Sequence, residues 1–242
     1  MLELNPSDSE AYYNRGNAYS SLGQYENAIV DYNRALELNP NNSEVYNNRG
    51  NAYCDLAQYE KAIADYNKAL ELDPNEPEVY NNRGVAYNEL GQYENAIADY
   101  NRALELNPND SEVYNNRGNA YSSLGQYENA IVDYNKVLEL NPNNSETYNN
   151  RGNAYSSLGQ YENAIVDYNR VLKLNPNNSE TYNNRGNVYC DLEQYEKAVA
   201  DYSKAIELDP KHKTAYLGRA KAYRALGEIE LAEEDERRAA SL

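Results

Sequence analysis

Residues 9–42 read SEAYYNRGNAYSSLGQYENAIVDYNRALELNPNN, and the chain restates this 34-residue phrase to its end. Seven of the eight prolines, Pro6, Pro40, Pro74, Pro108, Pro142, Pro176 and Pro210, keep the period without a slip, which is the mark of a stacked repeat architecture. The frames are 9–42, 43–76, 77–110, 111–144, 145–178 and 179–212, with 213–242 a shortened seventh and 1–8 the tail of a preceding repeat. Inside the first frame, Tyr12, Gly16 and Tyr19 are spaced by four and three residues, so they share one helix face. Tyr25, Ala28, Ile29, Tyr32, Ala35 and Leu36 form a second helical stripe, and Gly23 marks the turn between the two. Asn39-Pro40 ends the second helix, because proline lacks an amide donor and disfavours helical geometry in the residue before it. Asn41-Asn42-Ser43 then offers a turn and a helix N-cap. Two short helices cannot bury their own apolar faces, so neighbouring repeats must stack.

Composition alone points elsewhere. The 242 residues are 40% hydrophobic and carry 39 acidic against 22 basic side chains, a formal net charge of -17 that leans toward disorder. The 27 tyrosines reverse this, since the repeat dictates their positions and the chain has neither Phe nor Trp. A core built from tyrosine buries a large ring and leaves each hydroxyl in need of a partner. The negative charge repels phosphate and argues against nucleic acid. Two cysteines exclude a disulfide scaffold, and no apolar run approaches the roughly 20 residues of a membrane span. Nothing near Met1 has the pattern of a secretory leader, so a cytoplasmic location is expected. The sequons at Asn41, Asn109, Asn143 and Asn177 fall at one place in the repeated loop and read as loop residues rather than glycosylation sites.

Counted from Ser9, positions 4, 8, 11, 20, 24, 27 and 32 carry aromatic, Gly, Tyr, Ala, aromatic, Ala and Pro in nearly every frame. This pattern resembles the tetratricopeptide repeat over essentially the whole chain. The resemblance implies an all-α fold, a right-handed α-α superhelix of helix-turn-helix units, with first helices on the inner concave surface. One departure recurs: position 7, usually Leu in that family, is Arg15, Arg49, Arg83, Arg117, Arg151, Arg185 and Arg219. Position 23 is as regularly Asp, from Asp31 to Asp235, so Arg and Asp are expected to pair between helices.

Positions 2, 5, 6, 9, 12 and 13 lie opposite the Tyr-Gly-Tyr stripe and are expected to face the cavity of the superhelix. Position 6 is Asn14, Asn48, Asn82, Asn116, Asn150 and Asn184; position 9 is Asn17, Asn51, Asn119, Asn153 and Asn187, with Val85 the exception. Position 5 is Asn47, Asn81, Asn115, Asn149 and Asn183 in repeats two to six. Regularly spaced amides offer donors and acceptors to an extended backbone, and the position 6 ladder is similar to that of O-linked N-acetylglucosamine transferase. The same amides can instead brace neighbouring helices. Position 2 is a row of glutamates from Glu10 to Glu180, which favours ligands bearing Lys or Arg.

The last repeat turns basic, with Lys211, His212, Lys213, Arg219, Lys221 and Arg224. By resemblance to heat-shock co-chaperones of the family, Lys221 and Arg224 with Asn187 are candidates for holding a ligand carboxylate, although Thr214 and Gly218 depart from that clamp. His212 is the one histidine and has no Ser or Cys partner, Cys54 and Cys190 are four repeats apart, and the glycines sit at packing or turn positions. Neither a catalytic site, a metal site nor a cofactor is therefore expected. Glu233, Glu234, Asp235 and Glu236 read as the solvating face of an end repeat. The expected function is a non-catalytic scaffold that binds an extended or helical peptide of another protein. The alternatives are an array that self-associates through its N-terminal end, or the recruiting arm of a larger enzyme such as a glycosyltransferase.

Overall fold

The computed structural model describes residues 7–242, so all but the last two residues of the expected remnant 1–8 lie outside it. Among the described residues there are helices and no strand. They fall into two compact units, up to Leu124 and from Gly125. The first contains the hairpins α1 (Ser9–Ser21) with α2 (Tyr25–Leu38), α3 (Ser43–Asp55) with α4 (Tyr59–Leu72), and α5 (Pro77–Glu89) with α6 (Tyr93–Leu106), closed by α7 (Ser111–Ser123). The second begins with α8 (Tyr127–Leu140), followed by the hairpins α9 (Ser145–Ser157) with α10 (Tyr161–Leu174), α11 (Ser179–Asp191) with α12 (Tyr195–Leu208), and α13 (Lys213–Leu226) with α14 (Ile229–Ala240). Within each unit a second helix packs on the next first helix, as α2 does on α3 and α10 on α11, and successive first helices also touch.

Local chemistry sets the helix ends. Asp8, Asn42 and Asp110 cap α1, α3 and α7 by accepting two backbone N–H bonds each, and Asn144 and Asn178 cap α9 and α11 through one. Gly23, Gly91, Gly125, Gly159 and Gly227 take the left-handed conformation at the turn between hairpin helices. Ala57 and Glu193 hold the same conformation at φ 54° and 57° without the freedom of glycine.

The core repeats as the sequence does. At position 24, Tyr32, Tyr66, Tyr100, Tyr134, Tyr168 and Tyr202 are fully buried, among the alanines of positions 20 and 27 and residues such as Val45 and Ala52. The first helix buries positions 3, 8 and 10 most deeply, and the expected rings at positions 4 and 11 pack against the same core while staying half-buried. The position 7 guanidinium lies over these rings, Arg49 at 5.5 Å from the Tyr46 ring and Arg151 at 5.8 Å from Tyr155.

The expected Arg–Asp pairing is present and bidentate. Arg49 Nε and Nη2 donate to Asp65 at 2.7 and 2.6 Å, and Arg15, Arg83, Arg151, Arg185 and Arg219 grip Asp31, Asp99, Asp167, Asp201 and Asp235 in the same way. The third arm of the fork was not expected. Arg49 Nη1 donates to Asn33 Oδ1 of the preceding repeat at 2.6 Å, and Arg83, Arg117, Arg151 and Arg185 reach Asn67, Asn101, Asn135 and Asn169 likewise. One side chain therefore ties three helices across a repeat boundary. Asn recurs at position 25 in the first five repeats, with Ser203 in the sixth taking the same bond from Arg219, so the signal was in the sequence.

Candidate functional site

The first helices carry the polar residues singled out above, and the structure sorts them. Glu10, Glu44, Glu78, Glu112, Glu146 and Glu180 are exposed. Their position in the first turn of each helix suits the helix dipole, and their carboxylates remain open to solvent. A polar cavity of about 380 Å³ at the start of α3 and α5 is lined by Glu44, Glu76 and Glu78 with Ser43, Asn47 and Val79. A second, about 590 Å³, lies at the start of α1 and α3 and includes Asp8, Glu10, Tyr13, Asn14 and Glu44. Burial first, then the neighbouring Glu44 carboxylate, push the Tyr13 hydroxyl up to about 12.

The amides form a network with a direction. Asn51 Oδ1 accepts from Tyr66 Oη at 2.7 Å and from Asn82 Nδ2 of the next repeat at 3.1 Å. Asn82 places its other N–H on Asn47 Oδ1 at 3.2 Å. One repeat earlier, Asn17 Oδ1 accepts from Tyr32 Oη at 2.7 Å and Asn48 Nδ2 at 3.1 Å, and Tyr13 Oη stands in for the position 5 amide at 3.0 Å. In the second unit Asn153 Oδ1 serves Tyr168 Oη and Asn184 Nδ2, and Asn187 Oδ1 serves Tyr202 Oη. Asn116 reaches Asn81 Oδ1 at 3.2 Å; Asn119 and Asn150 occupy the matching registers of α7 and α9, and Asn14 is exposed on α1. The position 9 amide thus satisfies the tyrosine hydroxyl that the core requires, and position 6 locks one first helix to the one before it.

Two expectations change here. Position 5 was expected to line the cavity, yet Asn47, Asn81 and Asn183 are 7%, 9% and 5% exposed. They turn into the step between neighbouring first helices, where Asn47 and Asn81 accept the position 6 amide. Position 12 was placed on the same surface, but Cys190 is buried with its Sγ 3.6 Å from Tyr202 Oη, and Cys54 meets Tyr66 Oη at 3.4 Å. Burial pushes both thiols up and keeps them protonated.

The consequence for recognition is chemical. Both N–H groups of Asn48 and Asn82 are engaged inside the protein, and the Asn82 carbonyl oxygen has no partner among the described residues. At Asn82, with Glu44, Glu78 and Glu112 on the same helix and its neighbours, the first-helix face presents acceptors.

At the last repeat, Arg224 does not join Lys221 on a shared anion. Its Nε and Nη2 donate to Glu236 at 2.9 and 2.7 Å, and this contact holds the Glu236 carboxyl below the usual range. A carboxylate of the chain's own α14 occupies the fork, and Lys221 remains exposed on α13. His212 precedes α13 without a capping side-chain bond, and its Nε2 lies 3.3 Å from Glu180 Oε2. Among the described residues no group of His, Cys, Asp or Glu is placed to hold a metal ion, and no helix is long and apolar enough to cross a membrane.

The tetratricopeptide repeat model matches residues 9–42, 77–110, 111–144, 145–178 and 179–212, and further models of the same repeat match 31–64 and 50–91. The chain belongs to the tetratricopeptide repeat family. Among solved structures, this tetratricopeptide protein is similar to YrrB, described as a protein of this family with an unusual peptide-binding site, at 27% identity and TM-score 0.68 over 76% of this chain and 95% of that one. A tetratricopeptide repeat protein from Parabacteroides merdae is 25% identical, with TM-score 0.74 over 96% and 92%. MamA is 27% identical, with TM-score 0.64 over 68% and 96%. No curated protein matches the chain.

Proposed function

We propose that this protein is a non-catalytic, cytoplasmic scaffold that holds an extended segment of another protein along its first helices and prefers segments rich in Lys or Arg. The observation that carries the reading is the direction of the amide network: donors such as Asn82 Nδ2 face inward, while the Asn82 oxygen and Glu44, Glu78 and Glu112 remain for a ligand. Such a surface receives backbone N–H groups and cationic side chains. Packed helices lie roughly 8–10 Å apart. Three residues of extended chain span about 10 Å, so a basic residue at every third position would meet each glutamate in turn. The peptide-binding site in the description of YrrB supports the class of ligand.

A fluorescent extended peptide with lysine at every third position tests this. Glu44→Gln/Glu78→Gln/Glu112→Gln is expected to weaken binding about tenfold, from roughly 0.5 kcal/mol per exposed charge. No binding to the wild type, or equal binding to the variant, overturns the reading.

Self-association through the N-terminal end is the second reading, and it draws on Arg15. Its side chain is 42% exposed where Arg49 and Arg83 are 18%. Sedimentation velocity over a concentration series separates the two, since only self-association shifts without added peptide.

A further inference from the structure

The amide network has one gap. At position 9 of the third repeat Val85 replaces asparagine, and its side chain packs against the cluster around Tyr100. Around it, three polar groups have hydrogen-bonding capacity that the protein leaves unused. Tyr100 is 1% exposed, yet its hydroxyl finds no hydrogen-bond partner among the described residues, whereas Tyr32, Tyr66, Tyr168 and Tyr202 each donate to a position 9 asparagine at 2.7 Å. Asn116 Nδ2 keeps only its bond to Asn81, where Asn82 has two. Asn88 Oδ1, one helical turn beyond Val85, is buried without a partner. That position adjoins the tyrosine hydroxyl, as the 3.4 Å contact of Cys54 with Tyr66 Oη shows one repeat earlier. A buried polar group left without a partner costs about 1–3 kcal/mol, so the gap is a standing demand for hydrogen bonds.

The intact rung defines what would fill it. In the second repeat a single carboxamide oxygen, Asn51 Oδ1, receives both Tyr66 Oη at 2.7 Å and the next repeat's Asn82 Nδ2 at 3.1 Å. We propose that the gap is a side-chain pocket for a carboxamide, in which a Gln or Asn of the bound segment supplies the rung that Val85 removes. The ligand oxygen accepts from Tyr100 Oη and Asn116 Nδ2, its amino group turns to Asn88 Oδ1, and its methylene lies on Val85. A carboxylate has the same shape but meets the wrong field, because Asp99, Glu89 and Glu112 all act unfavourably on negative charge at the Tyr100 hydroxyl. An alkyl side chain would give no bond to Tyr100 Oη, to the second N–H of Asn116 or to Asn88 Oδ1. A site built to hydrogen-bond discriminates strongly against such an analogue.

This deepens the scaffold reading by naming a side chain that the third repeat selects, and it rests on that reading for its biological ligand. The test is titration of the isotope-labelled full chain with propionamide, read on the side-chain amide signals of Asn88 and Asn116 by NMR, with propionate as the charged control. Saturable shifts are expected with propionamide and not with propionate. Affinity should fall at least tenfold in Val85→Asn, which fills the gap with the residue used at this position by the neighbouring repeats, and in Tyr100→Phe, which removes only the unpaired hydroxyl. An absent response in the wild type, or equal responses in wild type and Val85→Asn, overturns the proposal. The lysine peptide, measured on the same samples, separates the two ideas: bound peptide with no propionamide response leaves the scaffold reading standing and removes only the pocket.

Discussion

A Cβ on Gly50 would lie 2.6 Å from Cε1 of Tyr66, inside the distance at which any side chain can be accommodated without a shift. The same ring closes over Gly16, Gly84, Gly152 and Gly186 in their own repeats. The glycine of the first helix is therefore the seat of the tyrosine of the second, and in the seventh repeat the two disappear together, as Ala220 and Glu236. Gly50→Ala should force the Tyr66 ring or α3 to move and cost about 1–3 kcal/mol, the usual penalty for overpacking. Ala220→Gly, with no ring to seat, should bring no gain and lose about 1 kcal/mol of helix propensity. Urea unfolding of the two variants beside the wild type checks the contrast.

The tyrosine hydroxyls offer a sharper comparison. Tyr66 Oη donates to Asn51, whereas Tyr100 Oη has no partner among the described residues. Tyr66→Phe should destabilise by about 1 kcal/mol through the lost bond. Tyr100→Phe should be neutral or slightly stabilising, because no hydrogen bond is lost with the hydroxyl. Equal losses in thermal unfolding would mean that Tyr100 finds a partner in solution.

Backbone strain gives a third prediction. Ala57 and Glu193 occupy the left-handed turn that Gly23, Gly91, Gly125, Gly159 and Gly227 fill elsewhere. A residue with a Cβ is roughly 1–2 kcal/mol worse there than glycine, partly offset by the greater freedom of glycine in the unfolded chain. Ala57→Gly and Glu193→Gly should each raise stability by about 0.5–1 kcal/mol, seen as higher urea midpoints at an unchanged slope. A loss would show that the turn is held by contacts of the side chains themselves.

How far the sequence could be read follows from the repeat. Period and helix ends were legible because Pro40 and its equivalents and the position 15 glycines act through backbone geometry, which needs no tertiary knowledge. The pairing of Arg49 with Asp65 was legible because two regular, opposite charges in a tight array have few other places to go. The role of the asparagines was harder. Helical periodicity places Asn47 and Asn48 on one broad face, and only packed neighbours show that Asn47 turns into the step between helices while Asn48 reaches Asn17 and Tyr13. Replacing Asn82, Asn116 and Asn150 with Ala is consequently a poor probe of ligand binding, since Asn82 and Asn116 brace the stack as well. Val85 was visible as an exception, but its meaning depends on Tyr100 and Asn116, which lie on other helices.

A core of tyrosine also makes the fold sensitive to alkali. Burial, the largest cause in both, raises Tyr13 and Tyr32 from the ordinary phenol value to about 12, and it pushes Tyr66, Tyr168 and Tyr202 higher still. In the unfolded chain these phenols ionise near pH ~10. Between pH 10 and 12 the unfolded state therefore binds fewer of these protons than the folded state, and stability must fall as pH rises. The contribution is fully present below the unfolded value and disappears through the folded one. We expect the urea midpoint to hold from neutrality to about pH 10 and then drop steeply, with phenolate absorbance and loss of helical circular dichroism rising together. Smooth titration of all the tyrosines near pH ~10 with helicity retained would mean that the position 24 hydroxyls are not sealed by their asparagines.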